Sequence, residues 1–204
     1  MRNPSRVVFD IGNVLIHWDV RQLYRKIFSD ERAMDEFLVS VLPPSWNLEQ
    51  DRGRPWSEAE AERITLFPEH ADAIRAFRAR WHETVPGEIS GTVDILGRLK
   101  ARDVPLYAIT NFAEDTFRET QVRFPFLADS FRDIVISGVE RIIKPDPRIY
   151  RILLDRQGIE AADCVFVDDS IANVDAAGAV GYRALHFTTP ERLAADLRAL
   201  GFDV

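Results

Sequence analysis

The chain has 204 residues, 46% hydrophobic and 29% charged, with a formal net charge of −7. That size and balance fit a soluble globular protein with one sizeable core and room for an inserted subdomain. An acidic balance argues against non-specific nucleic-acid binding, which needs a basic footprint, and the single cysteine, Cys164, excludes an intrachain disulfide and a cysteine-rich zinc site.

In chain order, the first strand-like run is Arg6-Val7-Val8-Phe9, which ends in Asp10 and breaks at Gly12-Asn13. An apolar strand that stops at a carboxylate places it at the C-terminal tip, where open α/β sheets bind ligands. There it serves as a nucleophile, a metal ligand, or both. No convincing strand follows for a long stretch. Asp19-Val20-Arg21-Gln22 resembles a capping box ahead of Leu23 and Ile27, and Ser57-Glu58-Ala59-Glu60 resembles a second. Met34, Phe37, Leu38 and Val41 make one helical stripe; Ile74, Phe77 and Trp81 make another. Residues 18–86 therefore read as a helical insertion over the tip of the first strand, a lid that excludes water and selects the substrate, the alternative being an extra helical layer with no gating role. The longest stretch without a charge, 37–48, contains Pro43-Pro44 and is well short of the roughly 18 residues a membrane helix needs. Residues 1–6 lack the apolar core of a secretory leader, so a cytoplasmic location is expected.

Further strand-like runs fall at 105–110, 133–137, 164–167 and 183–187. Cys164 lies in one of them and reads as a buried, inert thiol. Asp146-Pro147 is an N-cap with proline at the first helical position, followed by Ile149, Ile152 and Leu153 and closed by Gly158. Ser170 is placed to cap a helix carrying Ile171, Val174 and Ala177. Thr189-Pro190 repeats the proline device ahead of Leu193, Leu197 and Leu200. Strands alternating with helices imply an α/β fold with a mostly parallel sheet covered on both faces.

The strand ends carry a particular set of polar groups: Asp10, Thr110-Asn111, Lys144-Pro145 and Asp168-Asp169-Ser170. In a parallel sheet these tips converge on one edge. Singly, a Thr-Asn is an ordinary turn, Lys-Pro-Asp-Pro a surface loop and Asp-Asp-Ser a helix start. Together they suit magnesium, a hard cation that takes carboxylates, water and substrate oxygens. Crowded carboxylates repel, and Lys144 with a divalent ion relieves that repulsion. One Asp10 oxygen then attacks a phosphorus atom in line, giving an aspartyl-phosphate that water hydrolyses.

The pattern resembles the haloacid dehalogenase (HAD) superfamily, in particular its phosphatase-like members with a helical cap after the first strand, a group that includes bacterial sugar-phosphate phosphatases acting on glucose 1-phosphate. The carrying motifs are Val7 to Leu15, Ala108-Ile109-Thr110-Asn111, Ile143-Lys144-Pro145-Asp146-Pro147-Arg148-Ile149-Tyr150, and Val165-Phe166-Val167-Asp168-Asp169-Ser170 with Asn173 beyond. The resemblance implies a Rossmann-like three-layer core, residues 1–17 and 87–204, with an α-helical cap at 18–86. It implies that Asp10 is the nucleophile and a Mg2+ ligand, that the Gly12 carbonyl binds the metal, and that Asp168 and Asp169 are the acidic pair holding it. Thr110 with the Asn111 backbone corresponds to the phosphate-binding position, and Lys144 to the charge-neutralising lysine.

Two positions depart from the family pattern. Most family phosphatases carry a second aspartate two residues after the nucleophile, which protonates the leaving group; here that residue is Gly12. His17 stands where an aspartate is common and is a candidate substitute acid, since histidine titrates near neutrality, the alternative being a polar residue at the cap hinge. In the cap, Trp46, Asn47, Arg52, Arg54 and Trp56 are candidates to line the pocket, with aromatic rings suited to sugar faces; a packed cap core with a solvated loop is the alternative. The expected function is Mg-dependent hydrolysis of a small phosphorylated metabolite, by a monomer or homodimer without nucleic-acid or membrane partners. The rivals are a metal-independent 2-haloacid dehalogenase, which needs no leaving-group acid but whose group lacks the acidic pair, and a non-catalytic phospho-ligand-binding protein.

Overall fold

The computed structural model describes residues 3–204. Five short apolar runs pair into one sheet: β1 (Arg6–Phe9), β2 (Leu106–Thr110), β3 (Asp133–Ile136), β4 (Cys164–Asp168) and β5 (Arg183–His186). All pairings are parallel, in the order β3-β2-β1-β4-β5. Each lies within a residue or two of its expected position. β2 and β4 are buried throughout and β1 nearly so, whereas the edge strands β3 and β5 are only partly covered. That is why the central strands read as continuous apolar runs. Phe9 pairs with Ala108 on one side and Val167 on the other, so the register sets Asp10 beside the end of β4. The Asp10 N–H donates to Val167 O at 2.8 Å.

Side chains of β1 alternate between two apolar layers. Val8 joins a cluster with Tyr107, Ile149, Tyr150 and Phe166, under helices α10 (Pro147–Gln157) and α11 (Ile171–Val180). Val7 and Phe9 face the opposite layer, with Leu96, Leu99, Phe117 and Leu197, under α6 (Ser90–Ala101), α7 (Glu114–Arg123) and α12 (Pro190–Ala199). Two single-turn helices, α8 (Phe126–Asp129) and α9 (Ser137–Glu140), complete this half. The later caps form as expected: Asp146 accepts from the Arg148 N–H and Thr189 from the Arg192 N–H, and Gly158 closes α10 with φ 60°. Ser170 precedes α11 without a capping hydrogen bond from its side chain. Cys164 is buried, as expected, and burial pushes its thiol up to about 11.

Between β1 and β2 lies the helical insertion: α1 (Arg21–Tyr24), α2 (Glu31–Ser40), α3 (Pro44–Asp51), α4 (Trp56–Leu66) and α5 (Ala71–Ala79) before α6. The outgoing and returning chains are hydrogen-bonded to each other, His17 N–H to Gly87 O, Asp19 N–H to Thr84 O and Ile89 N–H to Leu15 O. Two expected capping boxes take other forms. Asp19 accepts from the Arg21 N–H and from the Gln22 side-chain amide, a one-sided cap for a single turn. Pro55 caps α4, which starts at Trp56, one residue before Ser57, so Ser57 lies already inside the first turn. Helix α3 begins with Pro44 in its first turn, so the Pro-Pro pair opens a helix here.

The insertion has no separate core. Met34, Phe37, Trp46, Ile74, Phe77 and Trp81 belong to the same apolar cluster as Val7 and Phe9. At the end of α3 the backbones come very close. A Cβ on Gly53, whose φ is +93°, would stand 2.7 Å from Gly138 O, and one on Gly138 would stand 2.8 Å from both Phe112 O and Glu114 N. Only glycine fits either place. Among the described residues no helix is long and apolar enough to cross a membrane.

Candidate active site

The turn after β1 fixes the first carboxylate. Ile11 O accepts from the Leu15 and Ile16 N–H groups, and the Asn13 side chain accepts from the Trp18 N–H. Asn13 adopts φ 55°, a left-handed conformation that asparagine tolerates better than most residues. Asp10 Oδ1 accepts from the Ile11 N–H at 2.7 Å and pairs with Lys144 Nζ at 2.7 Å. Lys144 also reaches Asp168 Oδ2 at 2.7 Å. Its backbone is held by Asn111, whose Oδ1 accepts from Lys144 N–H and whose Nδ2 donates to Lys144 O. Asn111 thus aims the lysine.

Asp168 spends its lone pairs within the protein. Oδ1 accepts from Ser170 N–H and Asn173 Nδ2, and Oδ2 from Lys144 and Asn173. Its neighbour Asp169 is exposed, and Asp10, Asp168 and Asp169 each bring an oxygen to within 4.8 Å of the others. Thr110, at the tip of β2, is buried with no partner for its hydroxyl. Burial pushes the Asp10 carboxyl up to about 7, and the like charges of Asp168 and Asp169 add to this, against the pull of Lys144. Burial alone would lower the Lys144 ammonium, but Asp10 and Asp168 outweigh it and hold it above the usual lysine range. Although its side chain reaches solvent, Asp169 is partly covered on its inner side, and this desolvation and then Asp168 raise it.

Asp10, Gly12, Asn111, Lys144 and Asp169 form one wall of a cavity of about 370 Å³, with Thr110 and Asp168 buried outside its lining. The insertion supplies the facing wall with Trp18, Pro44, Asn47, Leu48, Asp51 and Trp81. Asp51 is buried, accepts from Asn47 Nδ2 at 3.0 Å, and is pushed up to about 7 by burial, against a hydrogen bond from the Ala113 backbone. Asn47 Oδ1 is buried with no partner.

The structure brings Asp10, Asn111, Lys144, Asp168 and Asp169 together, with Gly12 also on the cavity wall, and sets Thr110 at the end of β2 with its hydroxyl buried. Other expected residues stand elsewhere. Trp46 is buried inside the cap, its ring 5.9 Å from Trp56 and 5.3 Å from Phe77. Arg52 is exposed and pairs with Glu49, and His17 is exposed and outside the cavity lining. The reason is helical phase. Pro44, Asn47, Leu48 and Asp51 follow the i, i+3, i+4, i+7 spacing of one helix face, whereas Trp46 and Gln50 share the face turned to the core. That spacing was the available signal for Asp51.

A family model for haloacid dehalogenase-like hydrolases matches residues 5–181. The chain belongs to that family. Relatives of the chain include a sesquiterpene phosphatase of Aspergillus oryzae, 35% identical over 106 residues (52% of this chain, 54% of the relative). A flavin mononucleotide hydrolase of Arabidopsis thaliana is 32% identical over 122 residues (57% and 46%). The chain spans about half the length of these curated relatives. Among solved structures, the magnesium complex of the HAD family enzyme bt-2542 from Bacteroides thetaiotaomicron superposes with a TM-score of 0.74 at 20% identity, covering 97% of this chain and 100% of that one. That likeness shows that the sheet and its helical insertion are the HAD fold.

Proposed function

We propose that this HAD hydrolase is a Mg2+-dependent phosphatase that removes phosphate from a small phosphorylated metabolite through an aspartyl-phosphate on Asp10. The observation that carries the reading is the buried Lys144 ammonium held 2.7 Å from both Asp10 and Asp168, beside a third carboxylate and an unpartnered threonine hydroxyl. The donor set fits magnesium: the oxygens are hard, and a carboxyl raised first by burial and then by its neighbouring carboxylates, against Lys144, ionises more readily beside a further cation. Asp10, Asp169 and the Gly12 carbonyl are the residues that would hold it, with Asp168, occupied by its own hydrogen bonds, orienting Lys144 and the start of α11. Bound magnesium would supply positive charge that neutralises the phosphoryl oxygens.

The residues then divide the work. An ammonium has three donors, and Lys144 spends two on the aspartates, leaving one for a phosphoryl oxygen. The Thr110 hydroxyl donates a second hydrogen bond to the phosphoryl group. Asp10 uses Oδ1 toward Ile11 and Lys144, which leaves Oδ2 to attack phosphorus. The relatives named as a phosphatase and a flavin mononucleotide hydrolase, and the magnesium complex of bt-2542, support this reading.

The test is phosphate release from a panel of small phosphate monoesters with and without magnesium. The wild type is expected to turn over at least one ester only with the metal, and Asp10→Asn to lose at least about 10⁴-fold in rate with its fold intact. Magnesium-dependent hydrolysis retained by Asp10→Asn contradicts the nucleophile assignment. Halide release from 2-haloacids that persists in EDTA marks the dehalogenase reading instead, and phosphate binding without turnover marks a sensor.

A further inference from the structure

Position 12 is the one gap in the chemistry. A Cβ built on Gly12 meets nothing within 4 Å, so no neighbouring side chain grows into the space that an acid at this position would occupy. An in-line displacement at phosphorus places the leaving oxygen opposite the attacking Asp10. Asp10 stands on the sheet wall of the cavity, and the leaving group therefore faces the insertion. On that facing wall stands a single ionisable side chain, Asp51.

We propose that Asp51, on helix α3, takes the part that Gly12 leaves vacant: it protonates the leaving-group oxygen and then activates the hydrolytic water, with Asn47 as its positioning residue. This rests on the phosphatase reading above. In the first half-reaction the bond from Asp10 Oδ2 to phosphorus forms, the ester P–O bond breaks, and the Asp51 proton moves to the departing alkoxide, giving a neutral alcohol. In the second, the Asp51 carboxylate takes a proton from water as its oxygen bonds to phosphorus. The bond to Asp10 then breaks, releasing inorganic phosphate and restoring the Asp51 acid.

The surroundings suit a proton carrier. Asp51 forms no ion pair among the described residues; its side chain is held by the Asn47 amide and the Ala113 backbone, and its own carbonyl accepts from Ser137 Oγ at 2.5 Å. The charged groups sharing its cavity are Asp10, Lys144 and Asp169, all from the sheet wall. Glu49 and Arg52 of its own segment are exposed and paired with each other, and Arg54, Glu114, Asp115, Arg118 and Arg141 line a separate cavity beyond Gly53. Burial pushes the carboxyl up to about 7, close to where a group that must both give and take a proton works best. The unpartnered Asn47 Oδ1 leaves an acceptor beside it for a substrate hydroxyl or the attacking water.

The experiment compares two esters in the wild type and in Asp51→Asn, which keeps the shape. An alkyl phosphate needs its leaving oxygen protonated; p-nitrophenyl phosphate does not, because p-nitrophenolate departs as an anion. Asp51→Asn is expected to lower kcat for the alkyl ester by about 10²–10⁴-fold and the burst of p-nitrophenolate by less than about tenfold. The fall of wild-type activity as pH rises through about 7 is expected to vanish in the variant. Independently of turnover, the infrared difference spectrum of wild type minus Asp51→Asn is expected to show a protonated carboxyl band below about pH 7 that fades above it. An equal loss for both esters, a rise in KM with kcat unchanged, or no such band overturns the assignment. No hydrolysis of either ester by the wild type overturns the phosphatase reading itself, whereas normal wild-type hydrolysis with an unimpaired Asp51→Asn overturns the Asp51 role alone.

Discussion

Asp10 and Asp51 line one cavity, the first from the sheet and the second from the insertion, both buried and both pushed up to about 7, yet their settings are opposite. Asp10 lives among charges: one ammonium at 2.7 Å and two carboxylates whose oxygens lie within 4.8 Å of its own. Asp51 lives among neutral donors, the Asn47 amide and the Ala113 backbone. The sheet wall is therefore built to gather and balance charge, and the cap wall to keep a carboxyl away from it. A cation bound as proposed would retune the first and leave the second nearly alone.

The largest effect that separates the two walls is expected from Lys144→Met. Removing one partner of a buried ionic cluster costs roughly 3–5 kcal/mol, so urea unfolding of the metal-free protein at neutral pH should show a loss of that order. An undiminished midpoint would mean that the lysine is not what holds the sheet wall together. An effect of comparable size is expected from pH. Both carboxyls have folded values raised from 3.8 to about 7. Their contribution to stability is fully present below 3.8 and is lost as pH rises to about 7, because the unfolded chain ionises first. In EDTA the protein should lose stability across that window. Magnesium at pH above about 7 should restore the Asp10 share only, and Asp51→Asn should remove the rest of the slope. A pH-stability curve unchanged in Asp51→Asn would break the comparison. The smallest effect is expected from Thr110→Val, which removes an unpartnered buried hydroxyl and so should leave the unfolding midpoint unchanged or slightly raised. The same change should weaken phosphate binding by about tenfold or more, the worth of a hydrogen bond to a charged group; titration calorimetry with inorganic phosphate and magnesium checks it.

The sheet wall was readable in the chain because a parallel strand buried on both faces is a plain apolar run, and the residue that stops it is the residue at the tip. Asp10, Thr110 and Asp168 declare themselves in this way, and Lys144 follows from the motif around it. The cap wall was legible only at Asn47, which the sequence offered beside Trp46 and Arg52 and which lines the cavity. Trp46 and Asn47 are neighbours in sequence but about 100° apart on a helix, and only the docking of α3 decides which of them meets the cavity. Aromaticity suggested Trp46; the packed cluster with Trp56 and Phe77 claims it. His17 is close to Asp10 in sequence, but the turn ending at Ile16 hands the chain to Gly87 before it can return to the tip of β1.

The Gly53–Gly138 apposition has a bearing on how this molecule discriminates among ligands. Main chain rests on main chain there, with a Cβ-equivalent distance of 2.7 Å, so no exchange of bulk at that seam can draw helix α3 closer to the sheet. The spacing between the reactive carboxylate and its ceiling is a property of the backbone. Under the proposed function, divergence in preferred cargo would then be written at the remaining cap side chains on the cavity, Trp18, Pro44, Leu48 and Trp81, beneath a roof of constant height.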